Sequence, residues 1–150
     1  LSITNVNGFK NCMCSEKKLA KALARMTYAF SNATCAKVNM ITGEAYGSAY
    51  VFMNSKSIGA DLVYAWNDAK IGTMDSTMAA KIMYPDADAA EIKEKASEYE
   101  KLQSSATSAA ARGYVDRIIE PADSRKYLVA AFEMLYTKYV GEPEKKHGTK

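Results

Sequence analysis

Three small residues lie between two tyrosines near the middle of the chain, in the order Tyr46-Gly47-Ser48-Ala49-Tyr50. Small side chains leave the backbone accessible, and backbone N–H groups at the start of a helix have no acceptor within the helix. Two such N–H groups directed at one point form an oxyanion hole, which stabilises negative charge developing on an oxygen atom. A second interpretation is close packing of a helix against a sheet, which small residues also permit. Position and composition leave both interpretations open.

The elements on either side of this segment determine where its N–H groups point. Residues 37–42 alternate apolar side chains, with Val38 and Met40 on one face, and predict a strand. Residues 50–55 predict a short helix that is stopped by Gly59. The small residues would then lie in a loop that follows a strand and precedes a helix, where unpaired N–H groups face outward and bind ligands.

The same alternation of strand and helix patterns runs along the rest of the chain. The other predicted strands are 1–6, 62–66, 70–74 and 114–119. The other predicted helices are 15–32, 78–84, 87–102, a short alanine-rich helix closed by Arg112-Gly113, and a last helix from 121–124 with the apolar stripe Leu128, Phe132, Leu135 and Tyr139. Asp75 or Ser76 is expected to cap the helix at 78–84. Strands that alternate with helices predict an α/β fold with a largely parallel sheet.

Composition describes a globular chain of one domain. Its 150 residues suffice for one core, and 48% hydrophobic with 25% charged residues is typical of a soluble protein. A net charge of +3, with both signs interspersed, does not predict nucleic-acid binding. The sequence has neither an apolar run of about 20 residues nor a secretory signal, so we expect a cytoplasmic protein without direct membrane insertion. We expect residues 1–140 to form the domain and residues 141–150 to form a polar tail. The chain begins at Leu1 rather than Met, and we expect a processed product or a fragment.

The cysteines do not predict a metal site. Cys12 and Cys14 form a C-x-C pair, Cys35 stands apart, and the sole histidine, His147, lies in the tail. A structural zinc site needs four ligands at closer spacing. We therefore predict no metal and interpret the cysteines as reduced thiols of a cytosolic protein.

Four segments, taken in order along the chain, carry a resemblance to a known family. They read VNGF at 6–9, TYAFSNATCAKVNMITGEAYGSAYVFMNSKSIGADLVYAW at 27–66, AAARGYVDRIIEPADSRKYLVAAFEML at 109–135, and KKHG at 145–148. The corresponding family patterns are D-x-P-G-F, K-A-Y-G-G-A-Y, G-A-D-x-x-x-A-W-P, R-G-Y-V-D-D-I-I-x-P-x-x-T-R and a basic ending. From Ser2 onward the chain resembles the C-terminal portion of the biotin-dependent carboxyltransferases. These are the acyl-CoA carboxylase β-subunits and the related subunits of the sodium-pumping decarboxylases.

The resemblance implies a fold, an activity and partners. Family members contain two crotonase-like halves of repeated β-β-α units, and this chain would be part of the second half. The first half binds acyl-CoA, the second binds carboxybiotin from a carrier domain, and the active site lies between subunits. The resemblance therefore implies an acyl-CoA substrate, a biotin carboxyl carrier, further carboxylase or decarboxylase subunits and a homo-oligomer. An alternative is a non-catalytic, truncated relative that is retained for subunit assembly.

The resemblance also assigns roles to the segment between the tyrosines. The N–H groups of Ser48 and Ala49 would hold the ureido oxygen of biotin, and Gly47 would allow its close approach. Tyr50 would line the biotin slot, with core packing as the alternative. Val51 matches a position that helps to sort acyl groups in the family. Because the developing charge is met by backbone donors, no side-chain base is required.

Five residues depart from the family patterns. Ser48 replaces a Gly, Glu44 a Lys, Asn7 and Asn67 each a Pro, and Arg117 an Asp. A serine is compatible with an N–H donor because its side chain is small. Glu44 is the one carboxylate near the small residues, so it would have to serve as the acid or base if the chain were instead a crotonase-type hydrolase or isomerase.

Overall fold

The computed structural model describes residues 1–141, which form a parallel sheet surrounded by helices. The strands are β1 (Ser2–Val6), β2 (Val38–Tyr46), β3 (Leu62–Trp66), β4 (Lys70–Gly72) and β5 (Arg117–Ile119). The helices are α1 (Met13–Asn32), α2 (Gly47–Phe52), α3 (Ser76–Met83), α4 (Ala89–Tyr99), α5 (Ala106–Ala111) and α6 (Ser124–Met134). A π-helical turn (Glu100–Ser104) continues α4, and short 3₁₀ turns occupy Lys56–Ile58 and Pro121–Asp123.

The long strand β2 organises the sheet. One edge of β2 pairs with β1, and its other edge pairs first with β3 and then, near Tyr46, with β4. β5 extends the sheet beyond β3. Each strand pair among these named strands is parallel, which confirms the predicted α/β fold with a parallel sheet.

Both faces of the sheet are covered, and β2 is buried at residues 38–41 and 45–46 and partly buried at 42–44. Val38 and Met40 face α6 in one core cluster, whereas Ile41 and Ala45 join the cluster beneath α2 and α5. Trp66 packs against the α6 cluster, and its indole Nε1 donates to Ser124 Oγ at 2.9 Å. Trp66 therefore has a structural role between β3 and α6.

The local signals located most elements, but several predicted bounds were wrong, among them the start of β5, which was predicted at 114 and lies at Arg117. Asp75 caps α3 by accepting from the N–H groups of Thr77 and Met78, and Gly59 has the expected left-handed conformation with φ of 96°. β2 runs four residues past its predicted end. Helix α4 gives way to the π turn before residue 102, and α6 ends at Met134 although its stripe was predicted to reach Tyr139. The predicted tail lies outside the described residues, apart from Gly141.

A carboxylate before β3 joins distant parts of the chain. Asp61 Oδ2 accepts from the backbone N–H of Lys37 at 2.7 Å and from Lys138 Nζ at 2.9 Å. Lys138 also donates to the carbonyl of Cys35 at 3.1 Å. Burial opposes ionisation of Asp61, but the hydrogen bonds and the positive charges of Lys138 and Lys37 outweigh it, so its pKa is lowered. The residues after α6 are thereby fastened to the connection between α1 and β2.

This network predicts acid-sensitive stability. A carboxylate whose folded pKa is lowered stabilises the fold above its unfolded pKa of about 4, and this contribution disappears as the pH falls through the lower folded value. Asp61→Asn should lower the free energy of unfolding near pH 7, and the difference from wild type should shrink below about pH 4. Denaturant titrations across this range measure it, with the exposed Asp68→Asn as control. A difference that stays constant with pH would contradict the assignment.

Candidate active site

The strand β2 passes directly into helix α2, without the loop that the sequence predicted. β2 ends at Tyr46 and α2 begins at Gly47, so the helix starts three residues earlier than expected. Gly47 has a φ of 60°, and a Cβ built there would lie 3.1 Å from the carbonyl oxygen of Thr73. The chain therefore turns from strand to helix at a single residue where any side chain would be strained.

The first turn of α2 presents backbone donors. Its N-cap residue is Tyr46, which makes no side-chain capping bond. The first N–H groups of a helix have no acceptor within it, and Ser48 is exposed while Ala49 is buried. Donors at the N-terminal end of a helix favour negatively charged groups.

A cavity of about 590 Å³ opens beside this turn. Four of the five predicted cofactor-binding residues line it, namely Gly47, Ser48, Tyr50 and Val51. Ala49 is 3% exposed and is not among the described lining residues. The remaining wall comes from distant segments and consists of Ser57, Ile71, Gly72, Thr73, Tyr99, Gln103, Ala109, Arg112 and Tyr114.

Ser48 also borders a second cavity, of about 510 Å³. This cavity is lined by Phe9 and its neighbours and by the first turns of α1, including Leu19. The ring of Phe9 lies 6.5 Å from the ring of Phe52 at the end of α2. The structure thus brings the VNGF segment next to the small residues, although some 40 positions separate them in the sequence.

The two tyrosines around the small residues are buried phenols. Burial is the main cause that raises the pKa of Tyr46 and of Tyr50, each to about 12. Among the described residues, neither hydroxyl has a hydrogen-bond partner. Tyr50 belongs to the core and also forms part of the cavity wall, whereas Tyr46 is buried under the sheet edge. Neither phenol would exchange protons near neutral pH.

The positive charge in the cavity of about 590 Å³ comes from Arg112, which the sequence analysis assigned to the end of a helix. Among the described residues that line the cavity, Arg112 is the one charged side chain, and none is Asp, Glu or His. Arg112 donates to the side-chain and main-chain oxygens of Gln103. Gln103 and Tyr99 come from the end of α4 and its π turn, and nothing in their local sequence predicted that they would face the small residues.

Asp116, in the YVD part of the RGYVD segment, fixes the position of the strands below the cavity. Its Oδ2 accepts from the backbone N–H of Val63 at 2.7 Å, and both carboxylate oxygens accept from Lys56. Its own N–H donates to the Val63 carbonyl at 2.8 Å. The segment that follows α2 is thereby held against β3.

Residues that depart from the family patterns make contacts of their own. The Asn67 amide donates to the carboxylate of Glu120 at 3.1 and 3.3 Å. The Arg117 guanidinium lies 4.7 Å from the ring centroid of Tyr127. Glu44 belongs to β2, outside the described cavity lining. The hypothesis that Glu44 is an acid or base of this cavity therefore has no support in the geometry.

Comparison with protein families decides the membership of the chain. The model of the carboxyl transferase domain matches residues 1–149. The chain belongs to this family. The predicted membership is confirmed, and parts of two of the four segments, those that contain Gly47 and Arg112, line the cavity of this carboxyl transferase domain. The KKHG segment lies outside the described residues.

Relatives are identical to this domain at about two fifths of the aligned positions. The α subunit of methylmalonyl-CoA decarboxylase from Propionigenium modestum is 43% identical over 99% of the chain and 30% of its own length. The carboxyltransferase subunit of propionyl-CoA carboxylase from Haloferax mediterranei is 39% identical over 99% of the chain and 30% of its own length. The chain thus spans less than a third of these relatives.

Solved structures confirm the crotonase-like fold. The crystal structure of transcarboxylase 12S, a hexamer assembly with hydrolysed methylmalonyl-coenzyme A bound, superimposes with a TM-score of 0.91. It is 39% identical and is matched over 97% of this carboxyl transferase domain and 29% of its own chain.

Across residues 1–141, no helix is long and apolar enough to cross a membrane. The same residues hold no cluster of three or more side chains suited to a metal ion.

The junction at Gly47 predicts a measurable difference between two glycines. Gly47→Ala should lower the free energy of unfolding by about 1–2 kcal/mol for left-handed backbone strain, plus the cost of displacing the Thr73 carbonyl. Gly113→Ala is the matched control, because Gly113 has a φ of 80° and open space around its Cβ position. Denaturant unfolding of both variants should show a larger loss for Gly47→Ala. Equal losses of unfolding free energy in the two variants would mean that displacing the Thr73 carbonyl costs no stability.

Proposed function

We propose that the protein containing this chain transfers a carboxyl group between carboxybiotin on a carrier and an acyl-CoA, and that this chain forms the biotin side of the active site. The single observation that carries the proposal is the start of α2. Its first residues, Gly47 and Ser48, border a cavity of about 590 Å³ whose described lining contains no carboxylate or imidazole. Such a site suits chemistry in which backbone donors, rather than a side-chain base, stabilise the developing charge.

The residues present suit a bicyclic urea. Tyr50, Val51, Ile71 and Tyr99 give the cavity apolar walls on which a fused ring could rest. The N–H groups of Ser48 and Ala49 would donate to the ureido oxygen. Gly47 brings this backbone to the cavity without an intervening side chain.

When bound, carboxybiotin would supply a labile N-carboxyl group for the acyl-CoA α-carbon and a ureido nitrogen to take up the α-proton in exchange. The chain contributes fixed donors to that exchange. Ala49 is buried and therefore cannot shift easily, and Asp116 anchors the backbone that follows α2. Donors that are already in place need no reorganisation when charge develops.

The proposal includes partners that the described residues do not contain. Because the chain spans under a third of its relatives, we assign the acyl-CoA half of the site to the rest of the protein. A biotin carboxyl carrier, further carboxylase or decarboxylase subunits and a homo-oligomer complete the proposed assembly. The hexamer described for transcarboxylase 12S supports the oligomer. A cytoplasmic location stays a prediction from the sequence.

Carboxyl exchange tests the activity. The full-length protein containing this chain, incubated with a biotinylated carrier and short acyl-CoAs, should move labelled carboxyl between them in either direction. A control reaction with the unbiotinylated carrier should give none. A stable assembly that neither exchanges carboxyl nor responds to biotin would favour the alternative of a non-catalytic relative kept for assembly.

Ser48 separates backbone from side-chain chemistry. Ser48→Gly should leave transfer nearly intact, because the proposed donor is the backbone N–H. Ser48→Val should lower kcat about 100-fold, because branched methyl groups would keep the ureido oxygen from the donors. Ser57→Val is the matched control, since Ser57 is also exposed and lines the same cavity away from α2.

The same test is less informative at Ala49. Because Ala49 is 3% exposed, Ala49→Val would overpack the core and cost about 1–3 kcal/mol of stability. Loss of activity there would not separate unfolding from loss of the donor.

Two results would contradict the assignment of the backbone donors. One is that Ser48→Gly abolishes transfer, and the other is that Ser57→Val lowers kcat as much as Ser48→Val does.

A further inference from the structure

Arg112 is exposed and is the one charged side chain among the described residues that line the cavity beside α2. Four described lysines pair with carboxylates: Lys56 with Asp116, Lys70 with Glu100, Lys95 with Glu98, and Lys138 with Asp61. The hydrogen bonds of Arg112 instead run to the amide oxygens of Gln103. An amide oxygen orients a guanidinium without neutralising its charge. The cavity beside α2 therefore keeps a full positive charge on its wall.

The surroundings of Arg112 restrict its orientation. Successive carbonyls at the end of α4 and its π turn accept hydrogen bonds from side chains within α5 and at its two ends. Ser105 Oγ donates to the Lys101 carbonyl at 3.1 Å, and Ser108 Oγ donates to the Leu102 carbonyl at 2.7 Å. The next carbonyl, of Gln103, accepts from Arg112. Two terminal nitrogens of Arg112 are thus directed at one residue, while a guanidinium has five N–H donors in all.

We propose that Arg112 binds the carboxylate of carboxybiotin and lets the site distinguish carboxylated from uncarboxylated biotin. This inference rests on the proposed function. The ureido oxygen and the N-carboxylate belong to the same small ring system, so donors at Ser48 and a cation at Arg112 on one cavity wall address both groups. A planar guanidinium fork matches a carboxylate better than an ammonium group does.

Because the carboxylate is present before transfer and leaves during it, its recognition belongs to binding of the loaded carrier. An interaction of that kind lowers KM without raising kcat. A purely structural role for Arg112, as a cap for the π turn, would affect both forms of the carrier equally. These two roles therefore predict different kinetics.

The experiment uses the full-length protein containing this chain, with carboxylated and uncarboxylated biotin carrier as separate probes. Arg112→Gln should raise KM for the carboxylated carrier about tenfold or more, since hydrogen bonds to charged groups are worth that much. Its kcat, its KM for acyl-CoA and its affinity for the uncarboxylated carrier should change less than about twofold. Arg112→Lys should recover part of the loss. Arg125→Gln, at an exposed arginine on α6, is the matched control and should behave as wild type.

A second variant covers the case in which Arg112→Gln does not fold. Gln103→Ala keeps the charge but releases the guanidinium, and KM for the carboxylated carrier should rise about two- to fivefold. The inference is overturned if both carrier forms weaken together, if KM for acyl-CoA rises instead, or if neither variant changes KM. If the wild-type protein transfers no carboxyl group at all, the proposed function fails first, which separates the two failures.

Discussion

The direct passage from β2 into α2 is the constraint on which the candidate site depends. A strand can lead into a helix without a loop only if one residue redirects the chain, and Gly47 does so at a φ of 60°. The backbone there is so close to β4 that an added Cβ would lie 3.1 Å from the Thr73 carbonyl. Since Tyr46 pairs with Gly72, the contact also ties the first turn of α2 to the strand that borders the cavity. The same few backbone atoms therefore fix the positions of the proposed N–H donors and of the cavity wall.

Local sequence patterns predicted the fold where each element has its own signal. Alternation located the strands, Asp75 capped α3 as expected, and Gly59 closed its turn. The second half of β2 could not be predicted in this way, because Gly43 and Glu44 have weak strand propensity. Glu44, Ala45 and Tyr46 pair with β4, a contact that the local sequence does not indicate. The last helix was predicted too long for the opposite reason. Its apolar stripe continues to Tyr139, which is 90% exposed, so the stripe is not evidence of helix there.

The candidate site was predictable only in part. Gly47, Ser48, Tyr50 and Val51 are adjacent in sequence, so one motif identified a wall that the structure does form. Tyr99, Gln103 and Arg112 line the same cavity but belong to elements that follow β4. The periodicity of the local sequence does not indicate that these elements lie beside the cavity. Their placement depends on how the end of α4 packs against α5 and β4, which is a property of tertiary packing.

The π turn at Glu100–Ser104 makes the number of residues in this segment matter more than their identity. A helix advances about 100° per residue, so removing one residue would rotate everything that follows it by that angle. The three carbonyls that now accept from Ser105, Ser108 and Arg112 would point elsewhere, and Gln103 would leave the cavity wall. Point substitutions leave this angular relation in place. An insertion or deletion here would change the orientation of α4 relative to α5, while the strands of the sheet kept their register.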